Sequence, residues 1–581
     1  MTQFLIQNMA PLMFASLIVV MLFGYPVAFA LAACGIFFGL LGVELGMLHP
    51  SLFQALPQRI WAIMSNDTLL AVPFFTFMGL ILERSGMAED LLDTVGQLFG
   101  PLRGGLAIAV IFVGALLAAT TGVVAASVIS MGLISLPIML RYGYDRRFAT
   151  GAIAASGTLA QIIPPSLVLI VMADQLGKSV GDMYAGAFIP GLILTGLYAA
   201  YAIGVSVFKP SWAPALPVEA RTFREANGSS GVPSLVVLFL FAGAAAYAFA
   251  RYKYGAPHAP VDEMLVVSTA VGVGVAFLAA VVNHALKLGL LSRIAERVTF
   301  VLIPPLLLIF LVLGTIFLGV ATPTEGGAMG ATGALIMAIV RRRLSIPLLR
   351  QAMNTTAKLT SFVVFILVGA RVFSLTFYGV DGHIWVEHLL TGLPGGQLGF
   401  LIVVNLLVFV LAFFLDFFEL AFIIIPLLGP VAEKLGIDLI WFGILLSINM
   451  QTSFMHPPFG YALFYLRSVA ATKDYVDKVT GKQIARVTTG QIYWGAVPFV
   501  LIQLIMVGLV IAIPGIVSGG LAKKAPINTD QIEIRIPDSG SGAEGSTEDA
   551  MQRALDKAMG GGGSAAGKAP GPAAAPAETG K

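Results

Sequence analysis

Charged side chains are scarce in this 581-residue chain: Asp, Glu, Lys and Arg make up 11% of it, where soluble domains carry roughly 25%. Hydrophobic residues make up 57%, and the mean hydropathy is +0.90. Many apolar runs approach the ~20 residues that an α-helix needs to cross a bilayer. This balance excludes a soluble protein and predicts an all-α, polytopic membrane protein.

Cysteine is almost absent, and so are the usual signs of a secreted or catalytic protein. The single Cys34 lies in an apolar run, which excludes a disulfide framework and a cysteine-based metal site. The start, MTQFLIQNMAPLMF, lacks the basic residues and the small-residue cleavage site of a secretory signal peptide, so we expect no cleaved leader. The sequence contains no His/Asp/Glu ligand cluster and no Ser–His constellation, so we do not expect an enzyme.

Long apolar segments fill most of the chain. The predicted membrane segments are residues 8–23, 26–42, 67–83, 105–141, 148–175, 184–208, 232–250, 263–286, 298–320, 323–340, 355–377, 399–433, 440–467 and 490–513. Two of them, 105–141 and 399–433, are too long for one helix and too short for two crossings with a loop. We interpret each as a re-entrant hairpin of two half-length helices.

The segments divide the chain into four parts. A first repeat covers residues 1–208, a linker with two extra transmembrane helices covers 209–297, and a second repeat covers 298–515. The remainder, 521–581, includes the low-complexity run GGGGSAAGKAPGPAAAPAETGK. Such a composition cannot bury a core, so the tail is predicted to be disordered.

Lysine and arginine collect in particular loops, including those around Arg146, Arg342 and Lys473. If both hairpins turn back without crossing, these loops all fall on one side, which the positive-inside rule makes cytoplasmic. Twelve crossings then remain, and both termini lie outside. Arg251 and Lys253 are exceptions, because this scheme places them outside.

An internal duplication relates the two halves. GYDRRFATGAIAASGTLAQIIPP (143–165) corresponds to GIDLIWFGILLSINMQTSFMHPP (436–458), and each places an aspartate, Asp145 or Asp438, 19 residues before its proline pair. Other blocks match in the same order: GYPVAFALAACGIFFGLL corresponds to ATPTEGGAMGATGALIMA, and DMYAGAFIPGLIL to QIYWGAVPFVLIQ. Each half has five crossings and one hairpin, so the halves have opposite orientations. Inverted repeats with interrupted helices are typical of secondary transporters.

Proline pairs interrupt segments 148–175 and 440–467: Pro164 with Pro165, and Pro457 with Pro458. Each interior proline costs a helix about 3 kcal/mol or more, and an unwound stretch at membrane depth is tolerated only where it is buried or lines a cavity. Such a stretch exposes oxygen atoms that can replace the hydration shell of a cation, and oxygen ligands without His or Cys favour Na⁺ over a transition metal. The predicted ligands lie at the breaks and at the hairpin tips: Thr120, Thr121, Gly122, Ser156, Gly157, Thr158, Asp416, Gln451, Thr452 and Ser453.

Each candidate has a structural alternative. Serine and threonine in membrane helices often bond the carbonyl one turn back. Asp416 and Glu419 are ionisable groups in an apolar run, which marks function by default, but both could lie in water at the mouth of the hairpin. Arg371 could bind a substrate carboxylate, snorkel or pair with Asp416. His456 could carry protons or simply pack, and Glu325 is expected to cap the helix that follows it.

These blocks resemble the large membrane subunit of tripartite ATP-independent periplasmic (TRAP) transporters. AASGTLAQIIPPS is close to the family signature, NMQTSFMHPPFG, ATPTEGGA and FFLDFFELAFIIIP match other blocks, and the resemblance covers about residues 10–515. It implies a Na⁺-coupled, elevator-type importer in the bacterial inner membrane, with no cofactor besides the coupling ion. The implied partners are a small four-helix membrane subunit, a periplasmic substrate-binding protein, an organic-acid substrate and the lipid bilayer, and no nucleic acid.

Carried over by position, the resemblance gives two Na⁺ sites. One would use the Thr121 tip and the break at 156–158, and the other would use the Asp416 tip and the break at 451–453. Both tips depart from the commoner family form: Thr-Thr-Gly stands where Ser-Gly-Ser is usual, and Leu-Asp-Phe where Leu-Asp-Pro is usual. A stand-alone ion-coupled carboxylate carrier or antiporter of similar architecture is the alternative function, and the identity of the substrate stays open.

Overall fold

The computed structural model describes residues 2–221, 225, 230–254, 261–457 and 460–519. The predicted tail at 521–581 and Pro458 lie outside the described residues. The first half of the chain forms α1 (Thr2–Gln7), α2 (Met9–Leu22), α3 (Val27–Glu44), α4 (Leu56–Met64), α5 (Ala71–Arg84), α6 (Met87–Phe99), α7 (Gly105–Thr121), α8 (Val124–Arg141), α9 (Arg146–Thr158), α10 (Leu167–Leu176) and α11 (Val180–Phe208). The linker contributes α12 (Val232–Lys253) and α13 (Val261–Leu286).

The second half is also almost entirely helical. It forms α14 (Arg293–Phe317), α15 (Pro323–Val340), α16 (Ile346–Gly379), α17 (Gly382–Thr391), α18 (Gly396–Leu411), α19 (Phe417–Ile423), α20 (Ile425–Lys434), α21 (Leu439–Met450), α22 (Tyr461–Val469), α23 (Thr489–Ala512) and α24 (Gly515–Ser518). Between α22 and α23, β1 (Tyr475–Val476) pairs antiparallel with β2 (Gln483–Ile484), Tyr475 opposite Ile484. Short 3₁₀ turns cover Pro50–Ala55, Asp67–Leu70, Leu159–Gln161, Pro210–Trp212, Val218–Ala220 and Gln451–Phe454.

Eight helices within the described ranges are long and apolar enough to cross a membrane, or up to ten if each bent helix pair forms one span. This confirms the predicted multi-pass, all-α class, whereas the twelve crossings stay a prediction. Part of the difference comes from helices that are apolar but shorter than 18 residues: Met9–Leu22, Leu167–Leu176 and Leu439–Phe454. The last two belong to the broken helices, whose interruption prevents either half from reaching full length.

A third proline pair demonstrates that two prolines alone do not end a helix. Pro304 and Pro305 lie inside α14, which continues without interruption to Phe317. A proline at 304 removes the N–H that would bond the carbonyl of Phe300, four residues earlier. The guanidinium of Arg341 donates to that carbonyl instead, with Nη2 3.0 Å from the oxygen. Whether a proline pair breaks a helix therefore depends on what else satisfies the freed backbone groups.

Four helices, α3, α5, α15 and α16, form what we call the framework. α3 packs on α16, and α15 packs on α5. The first contact is backbone to backbone: a Cβ added at Gly369 would lie 2.4 Å from the carbonyl oxygen of Ala28, and one added at Gly35 would lie 2.8 Å from that of Val372. Because the sequence repeat equates α3 with α15, each half of the chain contributes one helix to each pair, and the halves interlock.

The first hairpin consists of α7 and α8, and one loop holds both of its ends. The N–H of Gly104 donates to the carbonyl of Ala213 at 2.9 Å, and the N–H of Asp145 donates to that of Trp212 at 3.0 Å. The prediction of half-length arms is wrong: α7 has 17 residues and α8 has 18, so each is about 26 Å long at 1.5 Å per residue. α8 alone is long and apolar enough to span a membrane. The length of the apolar segment therefore could not show that α8 returns beside α7.

The second hairpin consists of α18 followed by α19 and α20, and its two ends also meet. The side-chain amide of Gln397 donates to the carbonyl of Leu435 at 2.7 Å, and Lys434 pairs with Glu387 on α17. α17 turns into α18 with a bend of 117°. Each hairpin thus returns to the end of the molecule from which it starts. That the hairpins turn back within the bilayer stays a prediction.

The hairpins and broken helices of the two halves pack across each other in what we call the core bundle, α7–α11 and α18–α23. α22, after the second break, lies against α8 of the first hairpin, where a Cβ at Gly132 would meet Leu466 and Val469. α10, after the first break, lies against α20 of the second hairpin, where Leu176 lies beside Gly429. The linker helices α12 and α13 pack on each other and on α14.

Candidate cation site where the two helix breaks meet

The first break is buried in the core bundle. α9 ends at Thr158, a 3₁₀ turn covers Leu159–Gln161, and α10 begins at Leu167. The Oγ of Ser166, the residue that precedes α10, donates to the carbonyl of Gln161 at 2.6 Å. The interruption therefore leaves its backbone groups inside protein rather than in lipid, which is the condition for an unwound stretch at membrane depth.

The second break has the same layout. α21 ends at Met450, a 3₁₀ turn covers Gln451–Phe454, and α22 begins at Tyr461. The first three residues of this turn are at most 4% exposed. Both interruptions are therefore enclosed by the helices of the core bundle.

The two breaks touch each other. The side-chain Nε2 of Gln451 donates to the carbonyl oxygen of Thr158 at 3.0 Å and to its Oγ1 at 3.2 Å. The register that aligns Asp145 with Asp438, and one proline pair with the other, also aligns Thr158 with Gln451. Two residues at the same position of the repeat are thus in direct contact, so the pseudo-two-fold axis passes between them.

Three of the predicted hydroxyl ligands bond their own helix. Each donates to a carbonyl three residues earlier: Ser156 Oγ to Ile153 at 2.9 Å, Thr158 Oγ1 to Ala155 at 2.8 Å, and Thr452 Oγ1 to Asn449 at 2.6 Å. This is the structural alternative for such residues. It uses the hydroxyl proton and leaves the oxygen lone pairs available as acceptors or ligands. Gly157 lets α8 approach closely, since a Cβ there would lie 2.3 Å from Val128 Cγ2.

Four buried side-chain oxygens in and beside the breaks have no hydrogen-bond partner among the described residues: Gln161 Oε1, Asn449 Oδ1, Gln451 Oε1 and Ser453 Oγ. A buried polar group left without a partner costs about 1–3 kcal/mol, and nearly all such groups in native proteins are satisfied. Amide and hydroxyl oxygens are suitable ligands for a hard cation. The donor set at the breaks therefore fits a small cation.

The tip of the first hairpin lies against the first break. Gly122 ends α7 in the left-handed conformation, with φ +58°, which favours glycine. A Cβ added there would lie 3.4 Å from the carbonyl oxygen of Pro165. Thr120 and Thr121 form the last turn of α7, and their side chains are outside the described part of the chain.

The tip of the second hairpin is organised by a reciprocal cap. Asp416 Oδ1 accepts from the N–H of Glu419 at 2.8 Å, and Glu419 Oε2 accepts from the N–H of Asp416 at 2.9 Å. Glu419 is only 9% exposed, so this carboxylate does not lie in open water. Just before the tip, Phe413 stacks on His456 with ring centroids 4.1 Å apart, and Phe409 meets the same ring edge-on. His456 is therefore a packed histidine that joins the tip to the second break.

Two further predicted residues lie on the framework. Arg371 is exposed on α16, and none of the ion pairs between described residues involves it, so it does not pair with Asp416. The predicted cap at Glu325 is confirmed: Thr322 and Glu325 form a capping box at the start of α15. The role of Arg371 stays a prediction.

Sequence reasoning missed an asparagine pair beside the second break. Asn449 Nδ2 donates to the backbone oxygen of Asn405 at 2.7 Å and to its Oδ1 at 2.9 Å, and both residues are buried. The repeat register could have found it, because it aligns Asn449 with the predicted ligand Ser156. In the first half Ser156 packs on Gly114, where an added Cβ would lie only 2.4 Å from the serine Cβ. A side chain at position 114 would therefore clash with Ser156, and the first half cannot form a similar asparagine pair.

Residues 14–516 match the family described as "Tripartite ATP-independent periplasmic transporter, DctM component". The chain belongs to this family. The family recognised from the proline motifs is thereby confirmed over most of the sequence.

Several TRAP permeases are similar to this chain. The C4-dicarboxylate TRAP transporter large permease protein DctM of Pseudomonas aeruginosa is 28% identical, over 81% of this chain and 90% of that protein. The ectoine/5-hydroxyectoine TRAP transporter large permease protein UehC of Ruegeria pomeroyi is 25% identical, over 83% and 97%. The sialic acid TRAP transporter permease protein SiaT of Haemophilus influenzae is 22% identical, over 86% and 66%. The solved YdaH transporter of Alcanivorax borkumensis superposes with a TM-score of 0.44 at 14% identity, over 80% of this chain and 88% of that one, too little to add to the assignment.

Family membership settles the general class of the protein. It is a membrane transport subunit and not an enzyme, and it is a multi-pass protein of the bacterial inner membrane. Membership in a tripartite family implies two partner proteins, a small membrane subunit and a periplasmic binding protein.

Proposed function

We propose that this TRAP permease couples the import of an organic acid to Na⁺, and that the ion is held where the two helix breaks meet. The observation that carries the proposal is the contact between Gln451 and Thr158, together with buried oxygens at the same turns that lack a partner among the described residues. Burying such oxygens is costly unless something binds them. A bound cation would supply that interaction.

The chemistry of the site supports a monovalent ion. The oxygens available at the breaks belong to amides, hydroxyls and backbone carbonyls, which are neutral. Within the described residues, no group of three or more His, Cys, Asp or Glu side chains could hold a metal ion. A divalent cation generally recruits several carboxylates, whereas the two carboxylates at the second tip, Asp416 and Glu419, each already accept a hydrogen bond from the backbone N–H of the other residue. We therefore propose Na⁺ as the coupling ion, because a monovalent cation suits neutral oxygen ligands.

We assign the moving part of an elevator-type cycle to the core bundle and the stationary part to the framework. The core bundle contains both hairpins and both breaks. In the framework, α3 and α16 approach backbone to backbone at Gly35 and Gly369, so the two halves of the chain are closely packed there. This division supports movement of the ion and substrate with the bundle.

The names of the relatives support an acid as substrate. Two are named for the transport of C4-dicarboxylates and of sialic acid, and a third for ectoine. These names favour an organic acid without selecting one. Arg371, a mid-helix cation on α16, remains the predicted contact for its carboxylate, which a guanidinium can bind with two parallel hydrogen bonds.

Reconstitution in liposomes tests the proposed function. The purified chain alone is expected to transport little, because substrate capture belongs to the binding protein. Adding the small membrane subunit and the substrate-loaded binding protein is expected to give uptake that requires an inward Na⁺ gradient. Uptake of radiolabelled substrate is measured with the membrane potential fixed by K⁺ and valinomycin.

Two results would contradict the proposal. Full uptake by the chain alone would favour the stand-alone carrier. Na⁺ coupling would be excluded if uptake by the complete complex stayed unchanged when choline replaced Na⁺ at the same membrane potential.

A further inference from the structure

Glu83 and Tyr378 occupy the same position in the two halves of the chain. Glu83 lies near the end of framework helix α5, and its carbonyl accepts from the N–H of Gly86 at 3.1 Å. Tyr378 lies near the end of framework helix α16, and its carbonyl accepts from the N–H of Asp381 at 3.2 Å. Gly86 and Asp381 both have a left-handed backbone, with φ +72° and +56°, and each immediately precedes the next helix. The repeat therefore equates the two side chains.

In the first half, Glu83 joins the framework to the first hairpin. The hydroxyl of Ser130, on the returning arm α8, donates to Glu83 Oε1 at 2.9 Å. The other carboxylate oxygen, Oε2, is buried and has no hydrogen-bond partner among the described residues. We call the contact of Glu83 with Ser130 the first clasp.

In the second half, Tyr378 makes the corresponding connection. Its hydroxyl donates to the carbonyl of Pro426, on the returning arm α20, at 3.3 Å. The ring of Tyr378 is held by stacking on His383, with centroids 4.7 Å apart. We call the contact of Tyr378 with Pro426 the second clasp.

We propose that the two clasps are a matched pair of release points, which hold each hairpin against the framework and must both open in every transport cycle. Each joins a framework helix to the returning arm of the hairpin from its own half, and the two framework residues occupy equivalent positions of the repeat. Neither side chain belongs to the cation site, so Glu83 and Tyr378 are positioning residues. Asn66 donates to Asp174 Oδ1 at 2.6 Å and joins the 3₁₀ turn before α5 to α10, but this bond does not involve a hairpin.

The proposal requires that the hairpins move relative to the framework, and it does not require Na⁺ to be the coupling ion. It is therefore tested on any substrate uptake by the complete three-component transporter. Cysteine pairs replace Glu83 and Ser130, or Tyr378 and Pro426, in a Cys34→Ala background. A short, reducible bifunctional thiol reagent then links each pair.

Each link is expected to form in the folded complex and to lower uptake at least tenfold, and reduction of the link is expected to restore it. The control pair is Asp67 with Thr324, because Thr324 Oγ1 donates to the carbonyl of Asp67 at 2.6 Å. This contact joins framework helix α15 to the 3₁₀ turn that leads directly into framework helix α5, and it involves no hairpin. Linking the control pair is expected to leave uptake unchanged. Uptake that persists with a clasp fully linked would overturn the proposal, and so would failure of either clasp pair to link, since the contact would then be absent.

Discussion

Replacing Gln451 with methionine is expected to lower Na⁺-driven uptake by roughly 10- to 100-fold. Methionine keeps the length and apolar volume of the side chain but removes the Nε2 donor that binds Thr158 and the Oε1 that has no other partner among the described residues. Leaving a buried group unpaired costs about 1–3 kcal/mol, and each 1.4 kcal/mol is a factor of ten. The change is measured as initial uptake rate over a series of Na⁺ concentrations.

Thr158→Val should give a milder form of the same defect. It deletes one oxygen and keeps the shape, so we expect the Na⁺ concentration for half-maximal uptake to rise about tenfold, with the maximal rate largely kept. Gln97→Met is the matched control, because Gln97 donates to the carbonyl of Ala220 outside the core-bundle breaks. If both site variants keep the Na⁺ dependence of the unmodified chain at normal expression, the breaks do not hold the coupling ion.

If the two halves are inverted, single cysteines are expected to be either labelled from outside or fully protected, according to the side of the membrane on which they lie. The variants are Arg146→Cys, Arg350→Cys, Thr391→Cys and Lys434→Cys, each in a Cys34→Ala background. An impermeant thiol reagent applied to intact spheroplasts should label positions 391 and 434 and spare 146 and 350. The reason is the positive-inside rule, which assigns the arginine-rich loops to the cytoplasm.

Each ion pair between described residues joins parts of the chain that this scheme places on the same side. Arg141, at the end of the first hairpin, pairs with Asp477 at 2.9 Å. Hydrogen bonds from Thr480, helped by Arg141, lower the pKa of Asp477 to about 2, so this carboxylate is ionised at physiological pH. At the opposite end, Lys434 pairs with Glu387. Labelling of 146 and 434 from the same side would mean that the halves are not inverted, and the symmetry-related contact at the breaks would lose its explanation.

The repeat and its breaks could be predicted from the sequence because proline has a local effect. Pro164 and Pro457 lack the N–H that an α-helix needs, so the sequence predicts an interruption near each of them, and the structure has one. The same logic applied to Pro304 would fail, since Arg341 comes from another helix to satisfy the freed carbonyl. A tertiary partner of this kind leaves no mark near the proline itself.

The contacts between the two halves could not be predicted from the sequence. The bond between Gln451 and Thr158 joins residues 293 positions apart, and no local pattern predicts it. Asp416 fits two sequence patterns at once. A carboxylate three residues before Glu419 is a known helix-start pattern, and the structure forms that cap, while the role of Asp416 as an ion ligand stays a prediction. Asn449 was missed for a third reason, because an amide in an apolar helix has no periodic signal and only the repeat register exposes it.

Na⁺-dependent stability of the purified chain tests the central claim most directly, because it needs neither partner nor substrate. An ion that binds only the folded state stabilises it by about 2.7 kcal/mol when its concentration is one hundred times its Kd. Thermal unfolding is measured in detergent in NaCl and in KCl at equal ionic strength, for the unmodified chain and for Gln451→Met. We expect a higher unfolding midpoint in NaCl for the unmodified chain and no difference between the salts for the variant. Equal midpoints in the two salts for the unmodified chain, or an undiminished Na⁺ effect in the variant, would contradict a Na⁺ site at the meeting of the two breaks.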